Sequence, residues 1–86
     1  MKAGKLIEQA KLQVSELTGL TPETVSSLTR DGDAEWVVRV EALELSRVPN
    51  TMDLLGTYEV RLSDDGELVG FRRTRRYHRS STEDEG

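Results

Sequence analysis

Glu35-Trp36-Val37-Val38-Arg39-Val40-Glu41-Ala42-Leu43-Glu44-Leu45-Ser46-Arg47 is the stretch on which the fold turns. Its side chains change character with a period of two. Trp36, Val38, Val40 and Ala42 fall on one side, Val37, Arg39, Glu41 and Leu43 on the other. That is the period of a strand in a half-buried sheet, and it predicts a strand over about 35–47. Pro49-Asn50-Thr51 ends it, because proline cannot donate to a central ladder. Leu54–Leu62 resumes the period, with Tyr58, Val60 and Leu62 on one face. Glu67–Tyr77 forms a third strand, with Val69, Phe71 and Tyr77 in phase. Ser63-Asp64-Asp65-Gly66 reads as the hairpin loop between them, glycine supplying a left-handed position. A loop of those residues sets Leu62 opposite Glu67, Val60 opposite Val69 and Tyr58 opposite Phe71, pairs that pin the register.

Upstream of this region the period is that of a helix. Leu6, Ile7, Ala10, Val14 and Leu17 line one side at 3.6 residues per turn and predict a helix over 3–18, stopped by Gly19. Thr21-Pro22-Glu23 is a second start signal: a hydroxyl cap, proline in the first turn, then an acid. It predicts a short helix over about 21–28 with Val25 and Leu28 facing inward, and Arg30-Asp31-Gly32-Asp33 follows as a turn. The expected fold class is therefore α+β. An N-terminal helix and a short second helix pack on one face of a three-stranded antiparallel sheet, with Trp36 largely buried beneath the first helix. The domain is expected over 1–78. Residues 79–86 carry no apolar side chain and are expected to form a disordered acidic tail.

Two details depart from this pattern. Strict alternation places Leu43 and Leu45 opposite Trp36, Val38 and Val40, and it places Arg73 and Arg75 on the side of Phe71 and Tyr77. Either a β-bulge resets the phase in each strand, or the second face of the sheet is partly apolar and the third strand outruns the helical cover. The sequence leaves both open.

Composition narrows the function. The 86 residues hold 12 Lys and Arg against 16 Asp and Glu, a net charge of −4, and no cysteine. The length suits one core. Disulfides and thiolate sites are excluded. No apolar run reaches the ~18–20 residues of a membrane span, and the first residues lead into an amphipathic segment rather than a signal sequence, so a cytoplasmic protein without a membrane partner is expected. The acidic balance argues against a general binder of nucleic acid or anionic membrane. Chemistry is scarce as well. His78 is the single histidine, and it stands beside the tail without a cysteine partner. Asp31/Asp33 and Asp64/Asp65 belong to turns and lack the spacing of a calcium loop. There is no glycine-rich phosphate loop. A protein that is not an enzyme, with no metal and no cofactor, is the expectation.

Two surfaces remain. Phe71-Arg72-Arg73-Thr74-Arg75-Arg76-Tyr77-His78-Arg79 mixes cations with aromatics, as a strand that tracks phosphates and stacks bases does. A strand splits that run, however, sending Arg72 and Arg76 one way and Arg73 and Arg75 the other. Glu41, Glu44 and Glu59 lie on strands able to take up guanidinium groups. The other surface is apolar if Leu43 and Leu45 face outward rather than being returned to the core by a bulge: with Val37, Leu55 and Leu68 they then form a centre rimmed by Arg39, Glu41, Glu59, Arg61 and Arg72, the pattern of a protein interface. The candidate partner-binding residues are therefore Leu43, Leu45, Leu55, Leu68, Arg72, Arg73, Arg75 and Arg76.

Several of these stretches carry a resemblance. Trp36–Leu45 runs into Arg47-Val48-Pro49-Asn50-Thr51-Met52-Asp53-Leu54-Leu55-Gly56. Tyr58–Leu62, Asp65–Phe71 and Arg72-Arg73-Thr74-Arg75-Arg76-Tyr77 follow. Together they resemble the gas vesicle protein GvpO family over about 34–78, half of the chain. Asn50 stands where that family more often has Asp. The resemblance implies a small accessory protein of gas vesicle formation, located in the cytoplasm with gas vesicles or their assembly intermediates. It implies contacts with other gas vesicle proteins, shell or accessory, and leaves a homodimer open. The chain is too polar for the gas-facing wall itself, with a mean hydropathy of −0.57. A weaker similarity, Tyr58–Leu62 leading through a turn into Gly66-Glu67-Leu68, is to small PepSY-type domains, and implies a binding or inhibitory module. A nucleic-acid-binding regulator using the Arg-rich third strand is the other alternative.

Overall fold

The apolar stripe of the first segment closes a helix. In the computed structural model, which describes residues 2–32 and 35–79, α1 spans Ala3–Thr18. Leu6, Ala10 and Val14 are fully buried, one to each successive turn, while Leu17 is half-exposed. Gly19 ends the helix in the left-handed region at φ 75°, its N–H donating to the Ser15 carbonyl at 2.9 Å.

A second helix does not follow. Residues Thr21–Asp31 form a strand, β1, and the rest of the sheet is β2 (Glu35–Leu45), β3 (Leu54–Ser63) and β4 (Leu68–His78). The four strands pair antiparallel in chain order, so the fold is one helix on a four-stranded meander, not two helices on a three-stranded sheet. The misleading signal has a physical origin. Val25 pairs with Val40 and Leu28 with Val38, and both pack against the helix-covered core. Their spacing of three is a helical spacing, but here an extra residue, Ser26, bulges from the strand and restores both neighbours to the same face. Thr21, Thr24, Val25 and Thr29 are β-branched and favour the strand once β2 offers it a partner. Gly32, at φ 75°, lies in the turn that makes β1 and β2 a hairpin.

The helix rests on β1, β2 and β3. Beneath it Val38, Val40, Ala42, Tyr58, Val60 and Leu62 meet Leu6, Ala10 and Val14, with Phe71 packed at the side. Full burial of each aliphatic side chain contributes about 1.5–3 kcal/mol. Trp36 is only half-buried. It stands at the end of β2, where its Nε1 donates to Asp64 Oδ1 at 2.8 Å and the Arg30 guanidinium lies 4.9 Å from the ring centroid.

The β3–β4 register also differs from the simple hairpin. Leu62 pairs with Leu68, Val60 with Phe71 and Tyr58 with Arg73. Two additional residues in β4, Val69 and Thr74, account for the slippage. The Tyr58 and Phe71 rings still stack, at 5.5 Å between centroids, but diagonally. A further bulge, at Glu44, sits between the Leu43–Leu55 and Leu45–Leu54 pairs. Both readings of strand phase hold in part: bulges reset the phase in β2 and β4 and return Leu45 to the helix side, while Leu43, before the bulge, stays opposite Leu55 and leaves the second face partly apolar.

Residue Arg79, taken with the tail above, is tied down: its N–H donates to the Asp53 carbonyl at 2.8 Å. The remainder of the expected tail lies outside the described residues.

Candidate functional site

The side of the sheet away from α1 is uncovered, yet it buries charge. Strand alternation brings Val37, Arg39, Glu41 and Leu43 of β2 and Leu55, Thr57, Glu59 and Arg61 of β3 to this face. Glu41 is 9% exposed and Glu59 4%, sheltered by the long side chains around them. A shallow depression of about 590 Å³ crosses the face, with Arg39, Glu41, Thr57, Arg72, Arg75 and Tyr77 among its lining.

The two carboxylates are satisfied differently. Glu41 is held by hydroxyls: Ser26 donates to Oε2 at 2.8 Å, and Thr57 and Tyr77 donate to Oε1 at 2.6 and 2.5 Å. Burial, then the bond to Glu41 and its charge, push the Tyr77 phenol up to about 12. Glu59 is held by cations: Arg72 Nε at 3.1 Å, Arg39 at 3.4 Å and Arg61 Nε at 3.7 Å. Burial opposes its ionisation, but the Arg72 hydrogen bond and the charges of Arg72, Arg61 and Arg39 outweigh it and hold the carboxyl below its ordinary range. Arg61 continues the network to Asp31 at 2.6 Å and Glu35 at 3.3 Å.

On the other side of the sheet Glu44 gathers a separate cluster. Its carboxylate accepts from Tyr58 Oη at 2.8 Å and pairs with Arg76 at 2.8 Å and Arg73 at 3.4 Å. Gly56 makes the room, since a Cβ there would overlap the Glu44 carboxylate. At the end of the sheet, the buried Asp53 accepts the Arg47 N–H at 2.7 Å and the Arg79 guanidinium at 3.0 Å, and Arg79 also reaches Glu23 at 2.8 Å. The Arg47 bond chiefly, against burial and with help from Arg79, lowers the Asp53 carboxyl below its ordinary range.

These contacts sort the residues singled out from sequence. Leu43 and Leu55 pair on the uncovered face, and Leu55 is buried. Leu45 pairs with Leu54 beyond the Glu44 bulge, and Leu68 pairs with Leu62, so neither joins them. The Thr74 bulge re-sorts the arginines. Arg72 and Arg75 share the uncovered face, opposite Glu59 and Thr57, while Arg73 and Arg76 share the Glu44 side. Glu41, Glu44 and Glu59 were legible as acids able to take up guanidinium groups, and Glu59 and Glu44 do so, whereas Ser26, Thr57, Tyr77 and Asp53 were not singled out. An acid at 41 and another at 59, each in phase with apolar neighbours on a central strand, was the signal for two buried carboxylates.

The fold and this face define a small, mostly β domain that turns one side of a meander into a packed ion network. The chain belongs to the gas vesicle synthesis protein GvpO family, whose sequence model matches residues 1–83. It is 49% identical over 79 residues to gas vesicle protein O of Streptomyces sp. (strain CB03234), covering 92% of this chain and 61% of the relative. It is 36% identical over 53 residues to gas vesicle protein O1 of Halobacterium salinarum, covering 62% of this chain and 44% of the relative. Gas vesicle protein O of Haloferax mediterranei is 36% identical over 55 residues, covering 64% of this chain and 39% of the relative. The chain thus spans between 39% and 61% of the length of these relatives. No solved structure matches it. Membership gives the chain a gas-vesicle-related role. Among the described residues, no helix is long and apolar enough to cross a membrane.

Proposed function

We propose that the chain is a non-enzymatic accessory protein of gas vesicle formation, acting in the cytoplasm through contacts with other gas vesicle proteins, shell or accessory. Family membership supplies the process. The observation that carries the mode of action is the uncovered sheet face, where Leu43 and Leu55 lie beside a fixed array of arginines and carboxylates. Both buried carboxylates are committed to hydroxyls or guanidinium groups, which suits them to hold a surface in shape. Such a surface recognises a partner chiefly by complementary charge.

The arginine run of β4 supports a protein contact over nucleic acid. Arg72 is paired with Glu59, Arg73 and Arg76 with Glu44, and Arg79 with Asp53 and Glu23, so most of its charge is neutralised internally. Deleting the gene in a vesicle-forming host tests the role: vesicles are expected to be absent, fewer or misshapen. Normal number, shape and strength would refute it. A tagged chain co-expressed with each protein of the gas vesicle cluster in turn should retain at least one of them.

A further inference from the structure

We propose that Arg72 and Arg75 form a carboxylate-binding pair, and that the uncovered face docks an acidic segment of a partner protein. This rests on the reading that the chain acts through partner contacts, and it names the chemistry of the partner.

The placement of the pair comes from one residue. Arg72 and Arg75 are three apart, which in an unbroken strand points them to opposite sides. Thr74, the additional residue of β4, donates its hydroxyl to the Thr57 carbonyl at 3.3 Å and lets Arg75 return to the side of Arg72.

Each guanidinium is held from within and open outward. Arg72 donates to Glu59 from Nε at 3.1 Å, among the described residues its one side-chain hydrogen bond, and its side chain is 70% exposed. Its Nη groups, the fork that grips a carboxylate bidentately, have no hydrogen-bond partner among the described residues. Arg75 has no ion pair among the described residues. Its guanidinium lies 4.5 Å from the centroid of the Tyr77 ring. A guanidinium stacked on a ring keeps its in-plane N–H donors for a ligand. Tyr77 is in turn fixed by Glu41, which Ser26 and Thr57 fix from below. Glu41 is therefore a positioning residue that acts on Arg75 through Tyr77.

Charge selects the occupant. Arg39, Arg72 and Arg75 line the depression; Glu41 in its lining is covered by hydroxyls, and the buried Glu59 beneath Arg39 and Arg72 leaves the cations in excess of the acids there. The whole chain carries −4, so the attraction for an acidic segment is local and comes from the arginines of this face.

The test titrates the 86-residue chain with a fluorescent oligoglutamate peptide of about ten residues, and separately with a single-stranded oligonucleotide as phosphate probe. The peptide is expected to bind and to shift the amide resonances of Arg72, Arg75 and Tyr77. Arg75→Glu should weaken it by about tenfold or more, as loss of a charge-assisted pair does. Arg73→Glu makes the same change of charge on the other side of the sheet and should leave affinity within about twofold. Tyr77→Phe keeps the ring and loses the Glu41 bond, and should weaken the peptide while circular dichroism stays unchanged. Absence of peptide binding, equal losses from Arg73→Glu and Arg75→Glu, or tighter binding of the oligonucleotide would each overturn the proposal. Failure here is separable from failure of the broader reading. A chain that still retains its gas vesicle partner after Arg75→Glu removes this inference alone, whereas normal vesicles in the deletion strain remove the reading beneath it.

Discussion

The two faces of the sheet bury side chains by different physics. Under α1, Val38, Val40, Val60 and Leu62 lose all contact with water against Leu6, Ala10 and Val14. That contact is non-directional, and its worth follows the apolar area covered. On the opposite face Glu41 and Glu59 are nearly as buried, but each oxygen has a named donor at hydrogen-bonding distance. Such contacts add little net stability, because the groups were well solvated before folding, and they are costly to leave half-made. The first face therefore carries the stability of the fold, and the second carries its shape and specificity.

The largest expected effect breaks the first face. Leu62→Ala should cost about 2–5 kcal/mol in denaturant unfolding, enough to threaten so small a domain. Glu59→Ala should cost less, about 1–2 kcal/mol, because Arg39, Arg61 and Arg72 are partly exposed and rehydrate when released. A loss from Glu59→Ala as large as that from Leu62→Ala would erase the contrast. Gly56→Ala should act on the Glu44 cluster alone, pushing its carboxylate off Tyr58 and Arg76, with a cost of about 1–2 kcal/mol.

Titration sharpens the comparison further, because Val38, Val40, Val60 and Leu62 do not ionise whereas Glu59 and Tyr77 do. Tyr77 is raised to about 12 in the folded chain, above its unfolded value. Its contribution is therefore complete below about pH 10 and is lost as pH rises through about 12. Tyr77→Phe should flatten that alkaline decline, read from unfolding midpoints across the range. Glu59 is depressed, so its contribution is present above the unfolded carboxylate value of about 4 and is lost as pH falls through the folded one. Glu59→Gln should make the acid decline shallower, while a conservative Val60→Ala change should shift stability equally at every pH.

The same division decides what was legible in the sequence. The helix, its glycine stop and three of the strands are written in hydrophobic periodicity, which reports burial on the apolar face. β1 was not legible, because Ser26 turns a strand spacing of two into the helical spacing between Val25 and Leu28. The uncovered face was legible only in part for the same reason: Thr74 moves Arg75 beside Arg72 and parts it from Arg73. A bulge leaves composition and mean period untouched, and shows itself only when strands pair. Arg72 and Leu55 fall where the period of two puts them, whereas the face of Leu43 was open until the Glu44 bulge was seen to follow it. Tyr77 could not be placed from sequence, since its role depends on the additional residue Thr74.

The most direct measurement pairs capture with stability for a single variant, Arg75→Glu. A tagged chain, co-expressed with the proteins of the gas vesicle cluster, is assayed for the gas vesicle protein it retains, and the same variant is unfolded in denaturant. If the uncovered face serves recognition, retention is lost while the unfolding free energy stays within about 0.5 kcal/mol of the parent. Unchanged retention of the same partner by the folded variant would contradict recognition through Arg75 on this face.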